Sequence, residues 1–129
     1  MYSKYISLAQ DALKNSYSPY SNFKVGACVV SKSGKTYTGT NIENSTYGAT
    51  ICAERNAINK AICDGETEFQ LITIVSTGED FAFPCGICRQ TMVEFSPEMK
   101  VVVAKSQTEF EVYTAKDLLP HYFNLKDKK

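Results

Sequence analysis

Cys52 and Glu54 stand two residues apart in TICAERNAIN (Thr50–Asn59), and Cys85 and Cys88 form a C-x-x-C in PCGICR (Pro84–Arg89). Both stretches read as the opening turn of a helix, so a fold that joins those two helix starts gathers three thiols and one carboxylate. A catalytic zinc takes three protein ligands and leaves one position for water. Cys52, Cys85 and Cys88 supply such a set with no obvious fourth ligand, which a purely structural zinc site would want. Glu54 falls about 200° around the helix from Cys52, beside the metal rather than on it. A carboxylate placed there can take a proton from a water and return it elsewhere, as general base and then as general acid.

Three thiolates around Zn²⁺ leave a net charge of about −1, which opposes deprotonating a bound water. Backbone N–H groups at two helix starts are expected to offset part of that charge. The chain's two arginines, Arg55 and Arg89, both flank the ligands. Donation to a thiolate suits one of them, and a solvated surface position is the plainer reading of each. Cys28 and Cys63 have no spacing that suggests chemistry and read as buried free thiols. His121, the only histidine, has no partner in either motif and reads as a surface residue.

The elements that must position these groups follow from periodicity. Residues 3–15 repeat apolar positions at helical spacing through Ile6, Ala9 and Ala12. After the loop YSPYSN come two predicted strands, Phe23–Ser31 and Lys35–Ile42, joined at Ser33-Gly34 as an antiparallel hairpin. A polar loop, Asn41–Thr50, leads into the helix at Cys52, whose buried face is Ala53, Ala57, Ile58, Ala61 and Ile62. Asp64-Gly65 stops it, with Gly65 able to take a left-handed cap. Leu71–Ser76 is a buried strand, Gly86–Phe95 a helix halted at Ser96-Pro97, and Lys100–Ala104 a second buried strand. Phe110 and Val112 alternate with Glu109 and Glu111, as a half-exposed strand should. Thr114 with Asp117 has the form of a capping box, predicting a last helix up to Pro120 and a charged tail, NLKDKK, that frays. Helix, two strands, then helix and strand alternating implies an α/β three-layer sandwich: a mixed five-stranded sheet with helices on both faces.

The totals agree with one domain, residues 1–129, that can bury a proper core: 43% of residues are hydrophobic. Fourteen basic residues against fourteen acidic ones argue against a nucleic-acid binder, whose affinity rests on contacts to phosphate. No apolar run approaches the roughly 18 residues of a membrane span. The amphipathic start does not read as a secretory signal, and five cysteines read as ligands or buried thiols rather than disulfides, so a cytoplasmic protein is expected.

C-x-E followed by P-C-x-x-C, each opening a helix, is the zinc deaminase pattern, with the Glu as proton shuttle and not ligand. Together with SPYSNFKVGA (Ser18–Ala27), NIENSTYG (Asn41–Gly48), CAERNAI (Cys52–Ile58), PCGICRQ (Pro84–Gln90) and LLPHYF (Leu118–Phe123), the chain resembles the cytidine deaminases in their short, all-cysteine, homotetrameric form. The resemblance covers nearly the whole length. It implies one Zn²⁺ per subunit on Cys52, Cys85 and Cys88, with Glu54 as the shuttle. It places Phe23 against the pyrimidine ring, Asn41 and Glu43 on the ribose hydroxyls, the Ala53 backbone on the base, and Arg55 on the ligand sulfurs. It further implies that neighbouring subunits complete each site, with Tyr47 and Phe123 as the contributors. Asn41 and Glu43 are two apart and share one face of an extended chain, where an amide and a carboxylate suit a diol. Plainer readings are a solvated turn for that pair, core packing for Phe23, a buried loop anchor for Tyr47, and packing on its own subunit for Phe123. The implied reaction is hydrolytic deamination of cytidine and 2′-deoxycytidine. The alternatives are a related cytosine nucleoside such as blasticidin S, a base within nucleic acid, or a zinc-stabilised binding module without catalysis.

Overall fold

The computed structural model describes residues 1–128. A five-stranded sheet of order β2-β1-β3-β4-β5 is built from β1 (Val25–Ser31), β2 (Thr36–Thr40), β3 (Phe69–Ser76), β4 (Lys100–Ala104) and β5 (Phe110–Thr114). The β3–β4 pair is parallel and the other pairs are antiparallel, which makes the sheet mixed as expected. Helix α1 (Ser3–Ala12) covers one face through Ile6 and Ala9, packed with Cys28, Val75 and Ala104. Helices α2 (Ala53–Cys63) and α3 (Gly86–Phe95), with the short α4 (Ala115–Leu118), cover the other face, where Ala57, Ile58, Met92 and Val93 meet Val29, Ile72, Ile74, Val101 and Val103. Alternate residues of each strand feed the two cores, because side chains point to opposite faces with period two. The result is the three-layer sandwich.

Two glycines set how closely helices lie on the sheet. A Cβ at Gly39 would stand 2.5 Å from both the Ala53 carbonyl oxygen and the Ala57 nitrogen, so α2 rests directly on backbone. A Cβ at Gly26 would stand 2.1 Å from the Ala9 carbonyl oxygen on the opposite face. Helix α2 ends as expected: Gly65 takes φ +92°, its N–H reaches the Ile62 carbonyl at 2.9 Å, and the Glu66 N–H reaches the Ala61 carbonyl at 2.9 Å.

Several ends differ from the sequence reading. The first helix finishes as α-helix at Ala12 and continues as a 3₁₀ turn over Leu13–Asn15. β1 begins at Val25 rather than Phe23, because Lys24 pairs instead with Thr77. β2 stops at Thr40, and Ile42 makes isolated bridges to Tyr17 and Ile51. The last helix is a single turn, and Thr114 does not cap it: the Thr114 Oγ1 is buried without a partner. The tail does not simply fray. Leu125–Lys128 forms a 3₁₀ turn, and Lys126 Nζ donates to the Glu94 carbonyl at 3.0 Å. Lys129, the end of that tail, lies outside the described residues. Cys28 is buried as expected, and burial pushes its thiol up to about 11. Cys63, in contrast, is exposed at the open end of α2. His121 is exposed. No helix among the described residues is long and apolar enough to cross a membrane.

Candidate active site

The strand ends converge on one edge of the sheet. Val25 of β1 pairs with Ser76 at the end of β3, and Gly26 pairs with Thr40 at the end of β2. Phe23, Asn41 and the loop after Ser76 therefore emerge side by side. In open α/β sheets this is where ligands bind, just beyond the carboxyl ends of strands. The chain leaving β2 returns through Ile51, which exchanges hydrogen bonds with Ile42 at 3.0 Å, and so delivers the start of α2 to the same edge. Asn56 Nδ2 fixes that start by donating to the Thr40 carbonyl at 2.8 Å.

Cys52 is the N-cap of α2 and Cys85 the N-cap of α3, both with extended backbone, and Cys88 lies in the first turn of α3, fully buried. The Cys52 and Cys85 sulfurs are 3.7 Å apart, the Cys85 and Cys88 sulfurs 3.5 Å, and all three lie within 4.8 Å of one another. A tetrahedral zinc with Zn–S bonds of about 2.3 Å requires sulfurs about 3.8 Å apart. The donor set and its spacing thus fit Zn²⁺. Among the described residues no other group of three metal-ligating side chains is drawn together.

At both N-caps the side chain makes no capping hydrogen bond, so the expected donation from backbone N–H groups to the sulfurs is not made there. Charge relief comes from Arg55 instead, whose guanidinium donates to the Cys52 sulfur at 3.8 Å. The neighbouring Cys88 thiol, and then Arg55, draw the Cys52 thiol below its ordinary value. Cys88 moves the opposite way, pushed up by the neighbouring Cys52 and by burial. Arg89 takes neither expected role: half-buried, it donates to the carbonyls of Pro84 at 2.7 Å and Leu118 at 2.8 Å, stapling the Pro84–Cys85 turn to the end of α4.

Glu54 is 4% exposed. Burial pushes its carboxyl up to about 7, and the neighbouring Cys52 charge adds to the effect while Arg55 opposes it. It faces a cleft of about 460 Å³ that is also lined by Phe23, Asn41, Glu43, Ala53 and Cys85. Asn41 is buried and held from three sides: its Oδ1 accepts from Ser16 Oγ at 2.6 Å and Val25 N–H at 3.0 Å, and its Nδ2 donates to the Phe23 carbonyl at 2.7 Å. One N–H of that amide is left for a ligand. Glu43 accepts from the Tyr20 and Ser21 N–H groups and from the Ser21 hydroxyl, which holds its carboxyl below the ordinary range. Phe23 is half-exposed on the cleft rather than packed in the core, and Gly78 lies so close that a Cβ there would come within 2.8 Å of its ring.

Tyr47 and Phe123 do not reach this cleft from their own chain. Tyr47 is 79% exposed and packs edge-on to Tyr20 at 6.5 Å, so it is not a buried anchor. Phe123 is 57% exposed, with its carbonyl accepting from Gln90 Nε2 at 2.9 Å. The sequence reading missed Ser21, Phe81 and Phe83, which also line the cleft. Phe83 immediately precedes Pro84-Cys85 and Phe81 stands two residues before it, and that nearness to the motif is the signal that could have found them.

A model of the cytidine and deoxycytidylate deaminase zinc-binding region matches residues 1–105. A probable cytidine deaminase of Dictyostelium discoideum is 43% identical over 125 residues, covering 96% of this chain and 84% of that protein. The cytidine deaminase of Sporosarcina psychrophila is 40% identical over 125 residues, covering 96% of this chain and 92% of that protein. The crystal structure of cytidine deaminase from Burkholderia pseudomallei matches with a TM-score of 0.90 at 41% identity, covering 95% of this chain and 99% of that one. The enzyme from Mycobacterium tuberculosis matches with 0.83 at 30% identity, covering 96% and 98%. With three sulfurs spaced for a tetrahedral zinc in a chain that matches a deaminase zinc-binding region, and with likeness running nearly its whole length, this protein belongs to the cytidine deaminase family.

Proposed function

We propose that the chain catalyses the hydrolytic deamination of cytidine and 2′-deoxycytidine to uridine and 2′-deoxyuridine plus ammonia. The observation that carries this reading is the buried Glu54 beside three sulfurs spaced for zinc. Cys52, Cys85 and Cys88 would hold Zn²⁺, which when bound would supply a Lewis acid able to lower the pKa of a water toward neutrality. Glu54 accepts a proton from the attacking water and passes it to N3 of the pyrimidine, which makes C4 more electrophilic. The water oxygen bonds to C4. Glu54 then moves the second proton from that oxygen to the exocyclic amine as the C4–N bond breaks, and the nitrogen leaves with the electron pair as ammonia. A carboxyl near pH 7 can both take and return a proton at neutral pH, which burial arranges here.

Phe23 lies against the ring, the Ala53 backbone meets the base, Asn41 and Glu43 hold the ribose hydroxyls, and Arg55 steadies the ligand sulfurs. Residues 1–129 act as one catalytic domain, in the cytoplasm. The working form is a homotetramer in which Tyr47 and Phe123 of neighbouring subunits close each site; their exposure on the single chain supports this. The test is Glu54→Ala, assayed by ammonia release and metal content. It keeps stoichiometric zinc and the fold but loses turnover by about 10³-fold or more. Activity within about tenfold of the parent would refute the assignment.

A further inference from the structure

The cleft is lined by three stretches of chain: the strand ends that carry Phe23, Asn41 and Glu43, the start of α2, and the segment Phe81–Cys85. A pyrimidine nucleoside bound for attack at C4 has little freedom among them. In the ring, N1 lies opposite C4, and N3 and C5 flank C4 on opposite edges. With N3 turned to Glu54 on α2 and the sugar on N1 turned to Asn41 and Glu43, the C5 edge faces the remaining stretch. Phe83 is its large exposed side chain, at 43%. The ring is braced from behind rather than loose. It packs edge-on to Phe81 at 6.5 Å and to Tyr113 of β5 at 5.6 Å, and Phe81 is itself covered by the Lys105 ammonium 4.6 Å from its centroid.

We infer that Phe83 is a specificity-determining residue: its braced ring closes the cleft against the C5 edge of the pyrimidine and limits the substituent that position can carry. This rests on the nucleoside deaminase reading above. A rigid aromatic wall gains contact with an unsubstituted edge and rejects a bulky one, and each missing or extra group of methyl size in such a pocket changes kcat/KM by about tenfold or more.

The experiment compares wild type, Phe83→Ala and Phe83→Leu on cytidine, 5-methylcytidine and 5-iodocytidine. In Phe83→Ala the ratio of kcat/KM for 5-iodocytidine to that for cytidine rises by about tenfold or more, and Phe83→Leu gives a smaller rise. Cytidine itself loses mainly in KM. A side chain that served packing alone would lower the active fraction and scale all three substrates together, so an unchanged ratio in Phe83→Ala overturns the inference while cytidine turnover stands. A wild type inert toward cytidine overturns the deaminase reading and the inference with it.

Discussion

Two carboxylates share the cleft, and their surroundings drive them apart. Glu54 is raised by burial and by the charge on Cys52, whereas Glu43 is lowered by the Ser21 hydroxyl and by two backbone N–H groups. A pair separated in this way divides labour: one exchanges protons near neutrality and the other stays a charged acceptor. The Glu43 shift has a pH signature. A carboxyl whose native pKa lies below its unfolded value of about 4.3 contributes stability above that value and loses it as pH falls through the native pKa. The melting-temperature difference between wild type and Glu43→Gln is therefore largest near neutral pH and closes as pH drops below about 4. A difference that stays constant from pH 7 to pH 3 would show that the loop does not depend on this charge. At this scale the sulfurs and Glu54 were legible in the sequence, because each sits at a helix start whose local pattern announces it. The aromatic brace was not, because Phe83 finds its support in Tyr113, on a strand thirty positions later.

Helix α2 carries Cys52, Glu54 and Arg55, and its height over the sheet is set by Gly39. Helix α1 carries none of the chemistry and rests on Gly26 by an equally close approach. The two glycines make a controlled comparison. Gly39→Ala and Gly26→Ala each force a helix off the backbone and cost about 1–3 kcal/mol, read as a lower denaturant midpoint. Only Gly39→Ala moves ligands, so zinc affinity measured by competition with a chelator falls in that variant and stays at the wild-type value in Gly26→Ala. Equal zinc affinity in both would mean that the α2 start is held from its own end, by Asn56 and the Ile42–Ile51 bridge, rather than by its seat on the sheet. Strand and helix identities were readable because their apolar periods differ. The close contacts were not, since a glycine inside a strand does not say which helix lies against it. The last helix shows the converse failure: Thr114 and Asp117 have capping spacing, yet Thr114 turns its hydroxyl into the protein and the helix lasts one turn.

At the scale of the molecule the single chain leaves large aromatic side chains bare, some beside the cleft and one away from it. Tyr47 and Tyr20 stand at the Glu43 end, and Phe123 follows α4 with its backbone secured but its ring free. A ring held by its backbone and unused by its own chain suits a neighbour's site. In a closed symmetric oligomer every copy would both give and receive such a ring. Complementation tests this directly. Glu54→Ala lacks the proposed proton shuttle but keeps the ring, and Phe123→Ala keeps that carboxyl but lacks the ring. Each alone is expected to turn over cytidine poorly. Co-expressed in equal amounts, they assort at random, and about one quarter of sites combine an intact Glu54 with an intact Phe123 of the partner subunit. Activity then rises well above the sum of the separate variants, toward that fraction of wild type, while sedimentation gives the mass of a tetramer. A monomer by sedimentation, or a co-expressed pair no more active than its parts, would place the whole site within one chain and leave the Phe123 ring without a catalytic neighbour.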